Sequence, residues 1–389
     1  MNKGIYHIMQ EHLKGFSIVS TVIRNRNCIY VLFENDRDPF DEKSKLFFRA
    51  GFFYANTERK WGYEEFGNFY KARACVLPSP DNNLVCVDFD GDVITQSGVT
   101  SNTGFQIEKK IPLIRQVSVM RVREIGGKAF IAGTLRTVFR REGTNHWTCL
   151  SGNDLAVRDE KEKQKRNFGF NDIGGFSLHD IYACGDGGDL CHYNGVQWNV
   201  VDIPTNEELL ALCCTPHGTV YIGGRDGLLI EGRDDRWQIV GQDTPGFTTD
   251  GSQEQAGMGA TIKDMIWYRD RLYLATDQGV YEYANGHIQR TPGIHALISH
   301  PAEGKTGDPL LNERLQNLLI KAGADKLAVS LAALPKPPSQ SLLAPAALHS
   351  LSTDGNLLVV GGADKVAVFD GNHWRILYAP YGIEAGGSL

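Results

Sequence analysis

The amino-acid sequence predicts an all-β protein, a β-propeller of about seven four-stranded blades. Three observations carry that expectation. A strand-turn-strand-turn-Trp unit recurs along the chain, its turns hold Asn-Gly or Asp-Gly pairs, and the composition suits many short strands. The chain has 389 residues, 42% hydrophobic and 22% charged, as in ordinary globular proteins, with 43 Gly and 10% aromatic residues. Gly supplies positive φ in tight turns, and aromatic side chains fill pleated surfaces.

The clearest copies run from Ile181 to Trp198 and from Val220 to Trp237. Laid one on the other, their strands, turns and Trp coincide at a spacing close to the roughly 40 to 45 residues of a propeller blade. The pattern returns from Leu272 to Gly286, with His287-Ile288 in place of the Trp, and again from Leu357 to Trp374. A looser copy spans Ala129 to Trp147, and weaker ones lie around Leu84 to Ile94 and Cys28 to Phe33, which makes seven. Val220 and Ile222 alternate with Tyr221 as a half-buried strand requires. Asp226-Gly227, Asn194-Gly195, Asn285-Gly286 and Asp370-Gly371 supply the positive φ of hairpin turns. One blade cannot bury both its faces alone, so blades must stack around an axis and close into a ring.

The whole chain, 1–389, is therefore expected to be one propeller domain with insertions at 153–172, 244–259 and 289–347. The first holds the mixed charge run Arg158 to Arg166, flanked by Phe168 and Phe170, and its plain reading is a solvated loop. The second is rich in Gly, Thr, Gln and Asp and reads as a flexible loop. The third changes character. Asp308 can cap a helix, Pro309 fits its first turn, and Leu311, Leu315, Leu318 and Leu319 form an apolar stripe. Pro335, Pro337, Pro338 and Pro345 then interrupt regular structure before the last blade.

A net charge of -6 argues against a general nucleic-acid binder, which needs a basic surface to release counterions from phosphates. His7, Glu11, His12 and Lys14 break any secretory signal pattern at the start of the chain, and no stretch approaches the roughly 18 apolar residues of a membrane span. The eight Cys sit mostly in apolar strand contexts and read as reduced core residues. A cytoplasmic protein without membrane association is expected.

Local catalytic and metal motifs fail on spacing. Gly304-Lys305-Thr306 lacks the first Gly of a phosphate-binding loop, since Ser299 stands there, and Gly185-Asp186-Gly187-Gly188 meets Leu190 where a dinucleotide fingerprint needs Gly. Asp88, Asp90 and Asp92 place Gly91 wrongly for a calcium loop and read as a turn. Cys184, Cys191 and His192 suggest zinc, but strand alternation sends Cys191 and His192 to opposite faces. Neither a metal nor a cofactor is expected. Dispersed residues such as His179, Asp180, Arg225, Asp226 and His349 remain as candidates to converge at a channel mouth, which would suit a propeller hydrolase or lyase.

The units Ile181 to Trp198 and Val220 to Trp237 resemble WD-repeat-type and related bacterial propellers, without the Trp-Asp dipeptide itself. Bacterial propellers of this sort, with irregular loops and no enzyme signature, are similar to immunity proteins that accompany antibacterial effectors, including those of type VI secretion systems. That resemblance implies a non-enzymatic protein that binds one cognate toxin, for instance a nuclease, and occludes its active site with an insertion. Arg158, Asp159, Glu160, Glu162, Phe168 and Phe170 are then the candidate partner-binding residues. The run Arg158 to Arg166 has five basic and three acidic residues, a net of +2, so it is no simple mimic of nucleic acid. A glycan-binding or scaffold propeller is a further alternative, because Trp147, Trp198, Trp237 and Trp374 recur at equivalent positions. Their place at the end of each unit suits stapling of an outer strand better.

Overall fold

Successive antiparallel hairpins organise the chain into seven four-stranded sheets. The computed structural model describes residues 12–36, 45–54, 61–98, 104–114, 117–151, 169–241, 246–247, 253–254, 260–294 and 348–378. Residues 1–298 and 346–389 form one compact unit that contains every described element; 299–345 form a second, outside the described residues. The helix expected after Asp308 and the Pro-rich stretch after it fall there.

Blade 1 comprises β1 (Phe16–Asn25), β2 (Cys28–Asn35), β3 (Phe47–Tyr54) and β4 (Trp61–Gly67). Blade 2 comprises β5 (Arg73–Val76), β6 (Leu84–Val87), β7 (Val93–Gln96) and β8 (Gln106–Glu108). Blade 3 holds β9 (Val119–Ile125), β10 (Lys128–Gly133), β11 (Thr137–Gly143) and β12 (His146–Cys149). Blade 4 holds β13 (Phe170–Ser177), β14 (Asp180–Gly185), β15 (Leu190–Tyr193) and β16 (Trp198–Val200). Blade 5 has β17 (Leu209–Cys214), β18 (Val220–Gly224), β19 (Leu229–Arg233) and β20 (Arg236–Gly241). A short hairpin, β21 (Gly246–Phe247) with β22 (Gln253–Glu254), follows within the segment read as a flexible loop. Blade 6 has β23 (Ile262–Tyr268), β24 (Arg271–Thr276), β25 (Gly279–Ala284) and β26 (His287–Arg290). Blade 7 has β27 (Leu348–Thr353), β28 (Leu358–Gly362), β29 (Val366–Phe369) and β30 (Trp374–Tyr378).

The repeat seen in the sequence is the second, third and fourth strand in blades 3 to 7, its weaker copies cover only β2 of blade 1 and β6 and β7 of blade 2, and Trp147, Trp198, Trp237 and Trp374 all stand on fourth strands. Trp198 Nε1 donates to the Leu150 carbonyl of the preceding blade at 3.1 Å, so this staple also ties blades together. The Asn-Gly and Asp-Gly turns divide into two kinds. Asn285 and Gly286 both take positive φ (52° and 81°) in a two-residue hairpin, whereas Asn194 and Asp370 accept two following backbone N–H groups on their side-chain oxygens.

The core lies between blades. Seven apolar clusters each draw on two neighbouring blades, such as Tyr30 and Leu32 of blade 1 with Leu84 and Cys86 of blade 2. The seventh closes the ring, packing Val359, Val366 and Tyr378 against Val31 and Phe33. Second strands near the axis are therefore covered on both faces, and Ile29 to Phe33 are all buried, more completely than half-buried alternation requires. Closure uses no shared strand. At this seam Thr21 N donates to Ser350 Oγ (2.9 Å), Ile23 N to Ser352 Oγ (3.0 Å) and Ile18 N to the Ala363 carbonyl (2.7 Å). Six of the eight cysteines are buried as expected, and burial pushes up the thiols of Cys28, to about 11, and Cys213, to about 12.

Candidate functional site: the channel and the insertion rim

The first strands of the blades stand side by side around the axis, and six of the seven carry a β-bulge near their start. The bulge resets the alternation and turns the next side chain along the ring. That position holds Ser20, Arg121, Asp172, Ala211, Asp264 and Ser350 in blades 1, 3, 4, 5, 6 and 7. Where it is polar it ties one blade to the next. Asp172 Oδ2 accepts from Leu212 N (2.9 Å), Asp264 Oδ2 from Leu351 N (2.8 Å), and Ser350 Oγ from Thr21 N.

Arginines of blade 3 reach across the channel. Arg123 donates to both oxygens of Asp172 (3.0 and 2.7 Å) and to Asp264 Oδ1 (2.6 Å). Arg121 pairs with Asp172 Oδ1 at 3.2 Å and donates to the carbonyls of Leu210 and Lys263 (3.3 and 3.1 Å). Burial would raise the Asp264 carboxyl, but Arg123 and Arg121 beside it hold it below its ordinary value. His349, on β27, meets the carbonyls of Ile18 (2.8 Å, through Nε2) and Gly361 (3.2 Å, through Nδ1). Burial, with Arg73 and Arg121 nearby, pushes it down to about 4, so at neutral pH it is uncharged and holds the seam between blades 7 and 1 as a donor to one of them.

Of the residues considered for a converging catalytic site, only His349 lines the channel. Asp180 binds His192 Nε2 (2.8 Å) and Arg233 at the boundary of blades 4 and 5, where His192 also stacks on Tyr182. Arg225 pairs with Glu208 on the surface. Asp88 Oδ1 accepts from Asp90 N and Asp92 N (3.0 and 2.8 Å), the turn expected of that segment. The residues that shape the channel, Arg121, Arg123, Asp172 and Asp264, are ones the sequence motifs did not reveal.

Arg158, Asp159, Glu160, Glu162 and Phe168 lie outside the described residues. Phe170 is a correction. It begins β13 and is fully buried between blades 3 and 4, 5.9 Å from the Trp198 ring, so it is a core residue unavailable to a partner. The insertion ends before it, and Asp172 belongs to the channel.

Each blade is a meander, so its first strand starts, and its fourth ends, at the same rim of the ring. The connections 109–118, 150–169, 242–261 and 291–347 are therefore all anchored at that rim. The opposite rim carries hairpin turns, with nothing longer than 97–105. Around blades 4 and 5 the insertion rim is acidic. Asp186, Asp202, Glu207, Glu208 and Asp226 meet one base among the described residues there, Arg225. Burial raises the Asp186 carboxyl, and the nearby Glu208 and Asp189 add to the effect, against a lowering hydrogen bond from Asn171. Gly188, at φ 74°, lets this rim pack closely, because a Cβ there would run into the Thr205 carbonyl.

Solved structures share this architecture. YCF48 from Cyanidioschyzon merolae superposes with a TM-score of 0.55 at 11% identity, over 95% of this chain and 97% of that one. Sqt1 of Saccharomyces cerevisiae gives 0.54 at 10% identity (96% and 87%), and the WD40 propeller domain of Doa1 gives 0.51 at 10% (92% and 93%). The chain is a WD-repeat-like β-propeller. At these identities the likeness concerns the fold alone. In sequence, the propeller is 32% identical over 165 residues to the immune protein Tsi7 of Pseudomonas aeruginosa. The match covers 42% of the propeller and 48% of Tsi7, so the chain spans about half the length of that relative. No family model matches it. Among the described residues no helix is long and apolar enough to cross a membrane.

Proposed function

We propose that this propeller is an immunity protein, a binding module that neutralises a cognate antibacterial toxin by seating on it and occluding its active site. The observation that carries this reading is the 165-residue stretch shared with an immune protein. The structure adds a physical basis. Seven seams of apolar packing, most of them also crossed by side-chain-to-backbone hydrogen bonds, hold a stiff ring, so residues on its rim lose little ordering entropy on docking. The insertion rim is the proposed contact face, and its acidic sector in blades 4 and 5 suits a toxin with a basic surface, as a nuclease has. Channel carboxylates locked by arginines and backbone amides favour binding over catalysis.

The test is co-expression with the toxin recovered by affinity purification from the native host. Restored growth and a one-to-one complex support the reading. Replacing 153–168 and 295–345 by short Gly-Ser links leaves the strands intact and is expected to weaken neutralisation. Full neutralisation by that variant would refute the rim as the contact face, and the absence of any stoichiometric toxin partner would refute immunity.

A further inference from the structure

The channel has a property that partner binding does not use. The arginines from blade 3 fill the side facing blades 4 and 5, and the other side leaves a partly open cavity of about 200 Å³. Arg73, Arg121, Arg123, His349 and Ser352 are among the residues lining it. Three guanidinium groups thus face two carboxylates, and both carboxylates are committed to Arg121 and Arg123. Glu124 also lines the cavity but turns to the Gly127 amide at the opposite rim (2.6 Å).

Arg73 is the surplus cation. Its Nη1 donates to the carbonyls of Val19 (3.2 Å) and Ala72 (3.0 Å), and among the described residues no carboxylate lies within ion-pair distance of it. Among the described residues its remaining N–H groups have no protein acceptor. Burial and the neighbouring Arg121 pull its pKa down to about 10, so it stays charged at neutral pH. Arg73 is half-buried with no anion beside it among the described residues, and a planar oxyanion can take two parallel hydrogen bonds from it. Ser352 offers a second donor, because its Oγ accepts from Ile23 N and leaves its own proton free. The volume is below the roughly 300 Å³ at which pockets for drug-sized ligands begin, and suits a small ion.

We propose that the channel cavity is a binding site for a small oxyanion, a carboxylate or a phosphate, held by Arg73 with Ser352 as a second donor. The test is calorimetric titration of the intact protein at low ionic strength with inorganic phosphate and, separately, with acetate and succinate, alongside thermal melts. Saturable one-to-one binding that raises Tm is expected, and which of the two anion classes binds identifies the source. Arg73→Gln should weaken binding about tenfold or more with an unchanged near-ultraviolet circular dichroism spectrum. Should that variant fail to fold, Arg73→Lys keeps the charge but loses the planar fork, and about threefold weaker binding is expected. Failure of both anion classes to bind the parent protein overturns the proposal. So does binding that is unchanged in a folded Arg73 variant.

Discussion

Replacing Asp264 by Asn tests whether the charge network crossing the channel holds the ring together. The Asp264 carboxylate accepts from Arg123 Nη2 at 2.6 Å, Leu351 N at 2.8 Å and Met265 N at 3.0 Å, and lies 3.8 Å from Arg121 Nη1. Asn keeps one acceptor oxygen, and its amino group must then point a donor at another donor, either the Leu351 amide or a guanidinium. One buried unsatisfied donor costs about 1–3 kcal/mol, and a buried ion pair stripped of one partner costs about 3–5 kcal/mol. The expected loss is about 3 kcal/mol, read as a lower urea midpoint with unchanged slope in a denaturation curve. Arg123→Gln alone should cost a similar amount. The double variant should cost less than the sum by at least about 1 kcal/mol, since the two side chains share one interaction. A loss under about 1 kcal/mol for Asp264→Asn, or strict additivity in the cycle, would refute the view that blades 3, 6 and 7 are tied through this carboxylate.

Other expectations can be checked on the same protein. His349 is pushed down to about 4 from an ordinary value near 6.5, so the native state binds fewer protons than the unfolded chain between those values. Its stability contribution is complete above about pH 6.5 and shrinks as pH falls, by about 2 kcal/mol at pH 5; urea midpoints should show this, and His349→Gln should flatten the slope. Phe170→Ala should destabilise by about 3–5 kcal/mol through a core cavity, while a folded sample keeps its affinity for the toxin. Trp198→Phe removes the bond to the Leu150 carbonyl and should cost about 1 kcal/mol in a thermal or urea melt. Glu207→Lys with Asp226→Lys should slow association with a basic toxin and reduce its salt dependence, seen in stopped-flow rates.

The outer three strands of blades 3 to 7 were legible because their cues are local: alternation, a turn residue with a defined φ or side-chain bond, and in four of these blades a closing Trp; in blades 1 and 2 the reading reached only β2, β6 and β7. First strands were not legible. In β13 the bulge at Asn171 resets the alternation, and Asp172 looks like the tail of a charged loop, although its environment is the axis of the ring. A signal was present in the four-residue pattern that opens these strands, Phe170-Asn-Asp-Ile173, Ile262-Lys-Asp-Met265 and Leu348-His-Ser-Leu351, which recurs at the same place in blades 4, 6 and 7. The partners of Arg121 and Arg123 were beyond sequence reading. Asp264 lies more than a hundred positions away, and only ring geometry brings it to hydrogen-bond distance. Phe170 misled for a related reason: an aromatic residue beside a charge run looks like a contact residue until the strand that buries it is known.

The seam between blades 7 and 1 has an apolar cluster like the other six, adds hydrogen bonds between side chains and backbone, and has a complete blade on either side. The start of β1 and the end of β30 also emerge on the same rim. The ring therefore has no privileged first blade. A circular permutant that joins residue 378 to residue 12 through a short linker and opens within 153–168 would keep every seam. Such a molecule would place its new ends on the proposed contact face, where a fused domain could be carried straight to whatever the ring binds.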